Sequence, residues 1–123
     1  MENFNTFIQR KTKSLAIKVV NGYSQINQKE HFSSAAVVLS KQFLRCGTSI
    51  GAMCREAQSA QSTKDFINKL EVALKESREL QYWIELLIET NQIPKDKFSV
   101  ILKDTDEIIK ILVSTIKKSK QKL

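Results

Sequence analysis

The residues that could act as bases, nucleophiles or soft metal ligands are one histidine and two cysteines. His31 lies in a polar stretch beside a lysine and a glutamate, and nothing orients it, so we predict a solvated loop residue. Cys46 and Cys54 lie eight residues apart on one predicted helix, with about 12 Å between their backbones. That distance is too long for a disulfide within the helix, and neither thiol has a partner at zinc-ligand spacing. Two small thiols among apolar residues indicate core positions in a reducing compartment.

Carboxylates on the third predicted helix could hold metal ions in the manner of di-metal helix bundles. Such sites need inward-pointing Glu-x-x-His pairs, and the chain has none. The chain also lacks a glycine-rich phosphate loop. We therefore expect a protein without catalysis, cofactor or metal. The carboxylates concerned are Glu71, Glu76, Glu79, Glu85 and Glu89.

Length and composition favour one helical domain. The 123 residues are 41% hydrophobic and 27% charged, which provides enough apolar material for a buried core. Three glycines and one proline are too few for the turns of an all-β sandwich or barrel. No apolar run reaches the about 20 residues of a membrane span. The first residues lack the basic start and apolar block of a signal peptide, so we expect a cytoplasmic protein without a membrane partner.

Four amphipathic helices are predicted within a single domain, over about residues 3–27, 33–59, 63–91 and 94–118. Apolar residues recur in alternating steps of four and three, which is the spacing of a bundle seam. The predicted seams are Ile8, Thr12, Leu15, Val19, Gly22 and Ile26; Ala36, Leu39, Phe43, Cys46, Ile50, Cys54 and Ala57; Phe66, Leu70, Ala73, Ser77, Leu80, Ile84 and Leu87; and Phe98, Leu102, Thr105, Ile109, Leu112 and Ile116.

Residues at the predicted helix ends support these bounds. Ser33 is a predicted N-cap, and the Ser62-x-x-Asp65 box is expected to start the third helix. Pro94 suits the first turn of the fourth helix, whose lysine-rich tail is expected to fray. Helices of this length with short connections indicate an all-α, up-down-up-down four-helix bundle.

A second apolar line on the third predicted helix points to self-association. Val72, Trp83 and Leu86 lie about a quarter-turn or more from the seam, in a row that also holds two glutamates. A helix that is apolar on more than one face usually has more than one neighbour, and aromatic residues are enriched at interfaces. We favour a homo-oligomer through these residues. The alternative is a monomer in which Trp83 wraps round the bundle edge.

Gly47 and Gly51 form a G-x-x-x-G pair inside the second predicted helix. Each glycine costs about 1 kcal/mol in a helix interior, so the close approach of another backbone is expected to compensate. That backbone belongs either to another helix of the same bundle or to a second copy of the chain. The sequence favours neither alternative.

Basic residues are concentrated in the first and fourth predicted helices, and the formal net charge is +7. Lys103, Lys110 and Lys117 repeat every seven residues, so they form a stripe with about 10 Å between charges. Lys11 and Lys18 share one side of the first helix in the same way. Such stripes can follow a nucleic-acid backbone by releasing its counterions.

Two alternatives to a nucleic-acid role stay open. The lysine stripes could be a solvated face in which Glu107 pairs with Lys103 and Asp106 pairs with Lys110. The protein could also be an oligomeric scaffold that binds another protein and no nucleic acid.

The central half of the chain resembles the bacterial four-helix bundle family encoded in intervening sequences of 23S ribosomal RNA genes. The resemblance rests on an S-I-G-A…E-A element followed by D-F-x-x-K-L. Where the family usually has asparagine after S-I-G-A, this chain has Met53. The motif residues are Ser49, Ile50, Gly51, Ala52, Glu56, Ala57, Asp65, Phe66, Lys69 and Leu70.

This resemblance implies a bundle that assembles as a ring-like homopentamer with a central channel. The chain is also similar to the accessory variability determinant of diversity-generating retroelements, which uses such a pentamer to engage nucleic acid and a reverse transcriptase. No biochemical activity is established for the intervening-sequence proteins. The expected function is therefore that of a non-enzymatic accessory or scaffold protein. Its expected partners are further copies of itself, RNA or DNA, and a neighbouring-gene protein such as a reverse transcriptase.

Overall fold

The computed structural model describes residues 2–27 and 33–123, and within them the chain forms four α-helices and no strand. The helices are α1 (Phe4–Asn27), α2 (Ser34–Gln58), α3 (Thr63–Glu89) and α4 (Lys95–Lys120). The prediction of an all-α chain with four helices is confirmed. No helix in these residues is long and apolar enough to cross a bilayer. The loop position predicted for His31 lies outside the described residues.

Each helix packs against the helices next to it in the chain, and α4 returns to pack against α1. The diagonal pairs meet through side chains inside the bundle: Phe4 on α1 lies edge-to-face against Phe66 on α3, with 6.2 Å between ring centroids, and Phe43 on α2 lies likewise against Phe98 on α4, at 5.9 Å. The four helices therefore surround one common core.

Lys11 on α1 pairs with Glu107 on α4, and Lys18 pairs with Asp104. Residue numbers thus rise along α1 as they fall along α4, as the up-down-up-down arrangement requires.

The buried residues follow the predicted seams with small departures. All six seam residues of α1 are buried. In α2 and α3 the seams also form the core, although Leu39 and Phe66 are only half-buried. In α4, Ile101 and Ile108 are buried while Leu102 is half-buried. The buried face of α4 is therefore wider than the predicted seam.

Both predicted serine caps are present. The Ser33 hydroxyl accepts a hydrogen bond from the Ala36 backbone N–H at 3.0 Å, and Ser62 accepts one from Asp65 at 3.0 Å. The Asp65 carboxylate accepts from the Gln61 backbone N–H at 3.2 Å, one residue before the position that the capping box predicts. The starts of α2 and α3 therefore have side-chain acceptors for backbone groups that each helix leaves unpaired.

The turn between α3 and α4 ends α3 at Glu89, two residues before the predicted bound. Asn91 has a φ of 58°, and its backbone N–H donates to the Ile88 carbonyl at 3.0 Å. The next N–H, that of Gln92, donates to the Leu87 carbonyl at 2.8 Å. This is the Schellman arrangement, in which a left-handed residue closes the helix.

The C-terminal end of α4 extends to Lys120, past the predicted bound at residue 118. Ser119 is buried, and Lys120 Nζ lies 2.9 Å from a carboxylate oxygen of Glu71 on α3. These tertiary contacts hold the last turn of the helix. The helix therefore continues two residues beyond the predicted bound, into the lysine-rich tail.

Gly47 and Gly51 both face α1. A Cβ atom on Gly47 would lie 2.6 Å from the two methyl carbons of Val19. A Cβ atom on Gly51 would lie 3.3 Å from Thr12 Oγ1. The close neighbour of the G-x-x-x-G pair is therefore another helix of the same chain, which is the first of the two alternatives that the sequence left open.

Candidate nucleic-acid interface

The two lysines predicted as phosphate ligands on α1 are both engaged in ion pairs. Lys11 Nζ lies 3.2 Å from Glu107 Oε2 and 5.8 Å from the centroid of the Phe7 ring. Lys18 pairs with Asp104. Because α1 and α4 are the least closely packed neighbours, these pairs join the bundle along its most open side.

The predicted stripe on α4 contains one paired and two unpaired lysines. Lys110 lies 3.1 Å from Asp106, as the spacing of four residues predicts. The predicted alternative pair between Lys103 and Glu107 does not form, because Glu107 binds the α1 lysine instead. Lys103 and Lys117 are exposed and have no acidic partner among the described residues.

A second basic surface, which differs from α4 in holding no acidic residue, lies on α1 and most of α2. Residues 3–27 and 33–55 contain seven lysines and arginines and no acidic residue. Lys13, Lys41 and Arg55 are exposed there, without an acidic partner in the part of the chain that the structure describes. Sequence reasoning missed these three because it searched for lysines repeating every seven residues. The acid-free run was the signal that could have found them.

Arg45 joins α2 to the acidic helix α3. Its guanidinium lies 3.0 Å from a Glu76 carboxylate oxygen and 4.0 Å from one of Glu79, and it donates to Cys46 Sγ at 3.3 Å. Glu76, which the sequence placed beside the seam, is only 7% exposed. A buried carboxylate needs such a partner, because burial without one is costly.

The side chains around Arg45 include three possible metal ligands, but their negative charge is already balanced by the arginine. Ligand atoms of Cys46, Glu76 and Glu79 lie within 4.8 Å of one another. The Arg45 guanidinium already supplies a positive charge to these groups. Burial raises the pKa of the Cys46 thiol to about 12, so the thiol keeps its proton and is a poor metal ligand. Burial likewise raises the pKa of Cys54 to about 12.

The residues predicted to form an oligomer interface lie at the edge of α3. Val72, Trp83 and Leu86 are half-buried. Trp83 packs against the core, and its indole N–H is buried without an acceptor among the residues described. Tyr82 is 55% exposed and lies edge-to-face against Trp83, with ring centroids 5.3 Å apart. Trp83 thus has intramolecular neighbours, and Tyr82 is the exposed aromatic residue of this face.

The motif that carries the family resemblance mainly builds the α2–α3 hairpin. Ile50, Ala57 and Leu70 are buried in the core. Lys69 on α3 lies 3.7 Å from a carboxylate oxygen of Glu56 on α2. These residue types are explained by packing and capping within one chain, and none of them requires a ligand.

Fold and surface together define an antiparallel four-helix bundle in which residues 3–27 and 33–55 carry seven bases and no acid. Residues 5–114 match the family described as 23S rRNA-intervening sequence protein, and the chain belongs to that family. The chain is also similar to a crystal structure from Bacteroides thetaiotaomicron VPI-5482, that of a protein with unknown function from the S23 ribosomal protein family. The two share 46% sequence identity and a TM-score of 0.82, over 92% of this chain and 97% of that chain. No curated protein matches the chain.

Proposed function

We propose that this protein is a non-enzymatic, homo-oligomeric accessory protein that associates with nucleic acid in the cytoplasm. The observation that carries the proposal is the absence of acidic residues from 3–27 and 33–55, together with three exposed bases there that lack acidic partners among the described residues. Unpaired bases favour phosphates because binding releases counterions from the nucleic acid. The family description, which refers to a 23S rRNA-intervening sequence, agrees with a role beside RNA.

Self-association is proposed through the outer edge between α2 and α3. Val38 on α2 is 60% exposed and Tyr82 on α3 is 55% exposed. Arg45 pairs with Glu76, so the antiparallel register brings Val38, seven residues before Arg45, towards the half of α3 that carries Tyr82. The resemblance to the retroelement accessory protein supports a ring of five copies with a reverse transcriptase as a partner. In such a ring, weak contacts to one long ligand would combine through avidity.

The test of nucleic-acid association is the salt dependence of binding. We expect the logarithm of the association constant for generic RNA or DNA to fall linearly with the logarithm of salt concentration. The expected slope is about −0.9 per phosphate contacted for duplex DNA and about −0.7 for single strands. Fluorescence anisotropy with labelled oligonucleotides measures this slope. Absence of binding at low salt would exclude the proposal.

A variant of the α4 stripe tests how much of this binding uses its lysines. Replacing Lys103, Lys110 and Lys117 by glutamine should reduce the slope by at most two contacts, because Lys110 is already held by Asp106 at 3.1 Å. The oligomer should stay intact. An unchanged slope would show that the stripe is a solvated face.

The second candidate function is a scaffold that binds another protein. A cavity of about 440 Å³ between α1 and α4 favours it, because Gly22, Phe98 and Ile101 line the cavity and Val100, also in the lining, is 49% exposed. If the purified protein binds neither RNA nor DNA, a complex with the protein of an adjacent gene becomes the expected result. Light scattering of the two purified proteins, mixed and separate, tests for that complex.

A further inference from the structure

A groove with a volume of about 320 Å³ lies on the surface between α1 and α2. This volume is at the lower end of the about 300–1,000 Å³ that is typical of small-molecule sites. The groove exists because small side chains line its floor, and polar side chains that can donate hydrogen bonds complete its lining. The small residues include Ala16, Gly51 and Ala52, and the donors are Gln9, Lys13 and Arg55.

The groove carries positive charge that nothing nearby neutralises. Lys13 and Arg55 have no ion-pair partner, and no acidic side chain of the described residues lines the groove. On the other side of Arg55, a neighbouring groove contains Glu56 and Asp65. Both of these acids are engaged: Glu56 lies 3.7 Å from Lys69, and Asp65 accepts a backbone hydrogen bond at 3.2 Å.

The hydrogen-bonding groups of the groove are also suited to an anion. The hydroxyls of Thr12 and Thr48 donate to the carbonyls of Ile8 and Leu44, at 2.8 Å and 2.9 Å, so their protons are already used. The groups of the groove that remain free are the Lys13 ammonium and the Arg55 guanidinium, which can only donate hydrogen bonds. A ligand that only accepts hydrogen bonds would satisfy both.

The surrounding surface favours a polyanion over a single small anion. Lys41, Thr48 and Arg55 recur every seven residues, so Lys41 lies on the same side of α2 as the groove. The helix rise places Lys41 about 21 Å from Arg55 along the axis. Because residues 3–27 and 33–55 contain no acid, a chain of regularly spaced phosphates that runs from Arg55 to Lys41 meets only positive charge.

We infer that this groove binds a backbone phosphate of a nucleic-acid strand. Lys13 and Arg55 are its charged ligands. Arg55 can hold two phosphate oxygens at once, and Lys13 acts as a point charge. The inference rests on the proposed nucleic-acid function and specifies where the strand docks.

The test compares two double substitutions that remove the same charges from different faces. Lys13→Gln/Arg55→Gln removes the groove ligands. Lys75→Gln/Arg78→Gln, on the acidic helix α3, removes another exposed lysine and arginine that lack acidic partners among the described residues. For a labelled single-stranded RNA 12-mer, we expect the groove variant to lose at least tenfold in affinity and the α3 variant less than threefold. The salt slope of the groove variant should become shallower by about 1.4, the value for two single-strand contacts.

A third variant tests the groove without removing a base. Ala52→Glu places a carboxylate in the groove at an exposed helical position, and it should reduce RNA affinity as strongly as the groove double variant. Circular dichroism of each variant checks that the fold is kept. Equal losses in the groove and α3 variants, or parent-like binding by the groove variant, would overturn the inference while leaving the proposed function in place.

A separate titration with inorganic phosphate distinguishes a strand from a free anion. If the parent binds no RNA at low salt, the proposed function and the strand inference both fail. Amide chemical-shift changes at Gly51 and Ala52 on adding phosphate, absent from the Lys13→Gln/Arg55→Gln variant, would then reassign the groove to a free anion. Without RNA binding and without such shifts, the groove binds neither ligand.

Discussion

Cys46 and Cys54 are buried thiols, and burial raises the pKa of each to about 12. At pH 8 a thiol with the usual pKa of about 8.5 is roughly one quarter thiolate, whereas one with a pKa of about 12 is thiolate in only about one molecule in 10⁴. We expect iodoacetamide to modify the native protein about 10³-fold more slowly than the protein unfolded in guanidinium chloride. Mass spectrometry of timed samples measures both rates. Equal rates would mean that the thiols are accessible as thiolates in the native state.

Arg45 neutralises the buried carboxylate of Glu76 across the α2–α3 contact, with 3.0 Å between the charged atoms. Arg45→Ala should destabilise the protein by about 1–3 kcal/mol, because it leaves Glu76 buried without its charged partner. The control is Arg10→Ala, which breaks an exposed pair with Glu2 and should leave the unfolding midpoint unchanged. Urea unfolding followed by circular dichroism compares the two variants. Equal midpoints would show that Glu76 finds another partner or water.

At the scale of elements, the α1–α2 contact depends on Gly47 more than on Gly51. An added methyl group at Gly47 would lie 2.6 Å from the Val19 methyl carbons, so Gly47→Ala should destabilise by about 1–3 kcal/mol through overpacking. In Gly51→Ala the added methyl group would lie 3.3 Å from Thr12 Oγ1. Because alanine also favours the helix by about 1 kcal/mol over glycine, this variant should be neutral or stabilising.

A second substitution tests whether Val19 is the cause. Val19→Ala removes the two methyl carbons at 2.6 Å and keeps the Val19 Cβ at 2.9 Å, so it relieves part of the clash. The Gly47→Ala/Val19→Ala double variant should therefore be more stable than the sum of the single effects predicts, although less stable than the parent. Thermal unfolding of the parent, the two single variants and the double variant completes this double-mutant cycle. Additive effects would show that the cost of Gly47→Ala arises elsewhere.

At the scale of the whole molecule, the proposed assembly predicts a solution mass well above the 14.1 kDa of one chain. Trp83 is an ambiguous probe because it also packs on the core, so a charged replacement would unfold the bundle. Tyr82→Glu changes a side chain that is 55% exposed, and it should dissociate the oligomer without loss of helix. Light scattering at micromolar concentration measures the mass, and Val113→Glu on α4 is the matched control. A mass of about one chain for the parent would rule out the assembly.

Local sequence accounts for the helices, their serine caps and most of the core. A seam residue is buried because its helix must bury one face, and the alternating steps of four and three already specify that face. All six seam residues of α1 are buried for this reason. The largest departure is in α4, where Ile101 and Ile108 are buried beside the seam and the predicted seam residue Leu102 is only half-buried.

The charge pairing was decided only by the tertiary structure. Glu107 lies four residues from Lys103, yet it pairs with Lys11, which is 96 residues away in the chain. Sequence spacing describes neighbours along one helix, whereas an ion pair forms with whichever charge an adjacent helix brings within a few ångströms. The groove beside Lys13 and Arg55 also depends on the tertiary structure, because its lining residues come from both α1 and α2. The local sequence of either helix does not specify how the two helices are aligned. Which bases are left free to bind phosphate is therefore a property of helix packing.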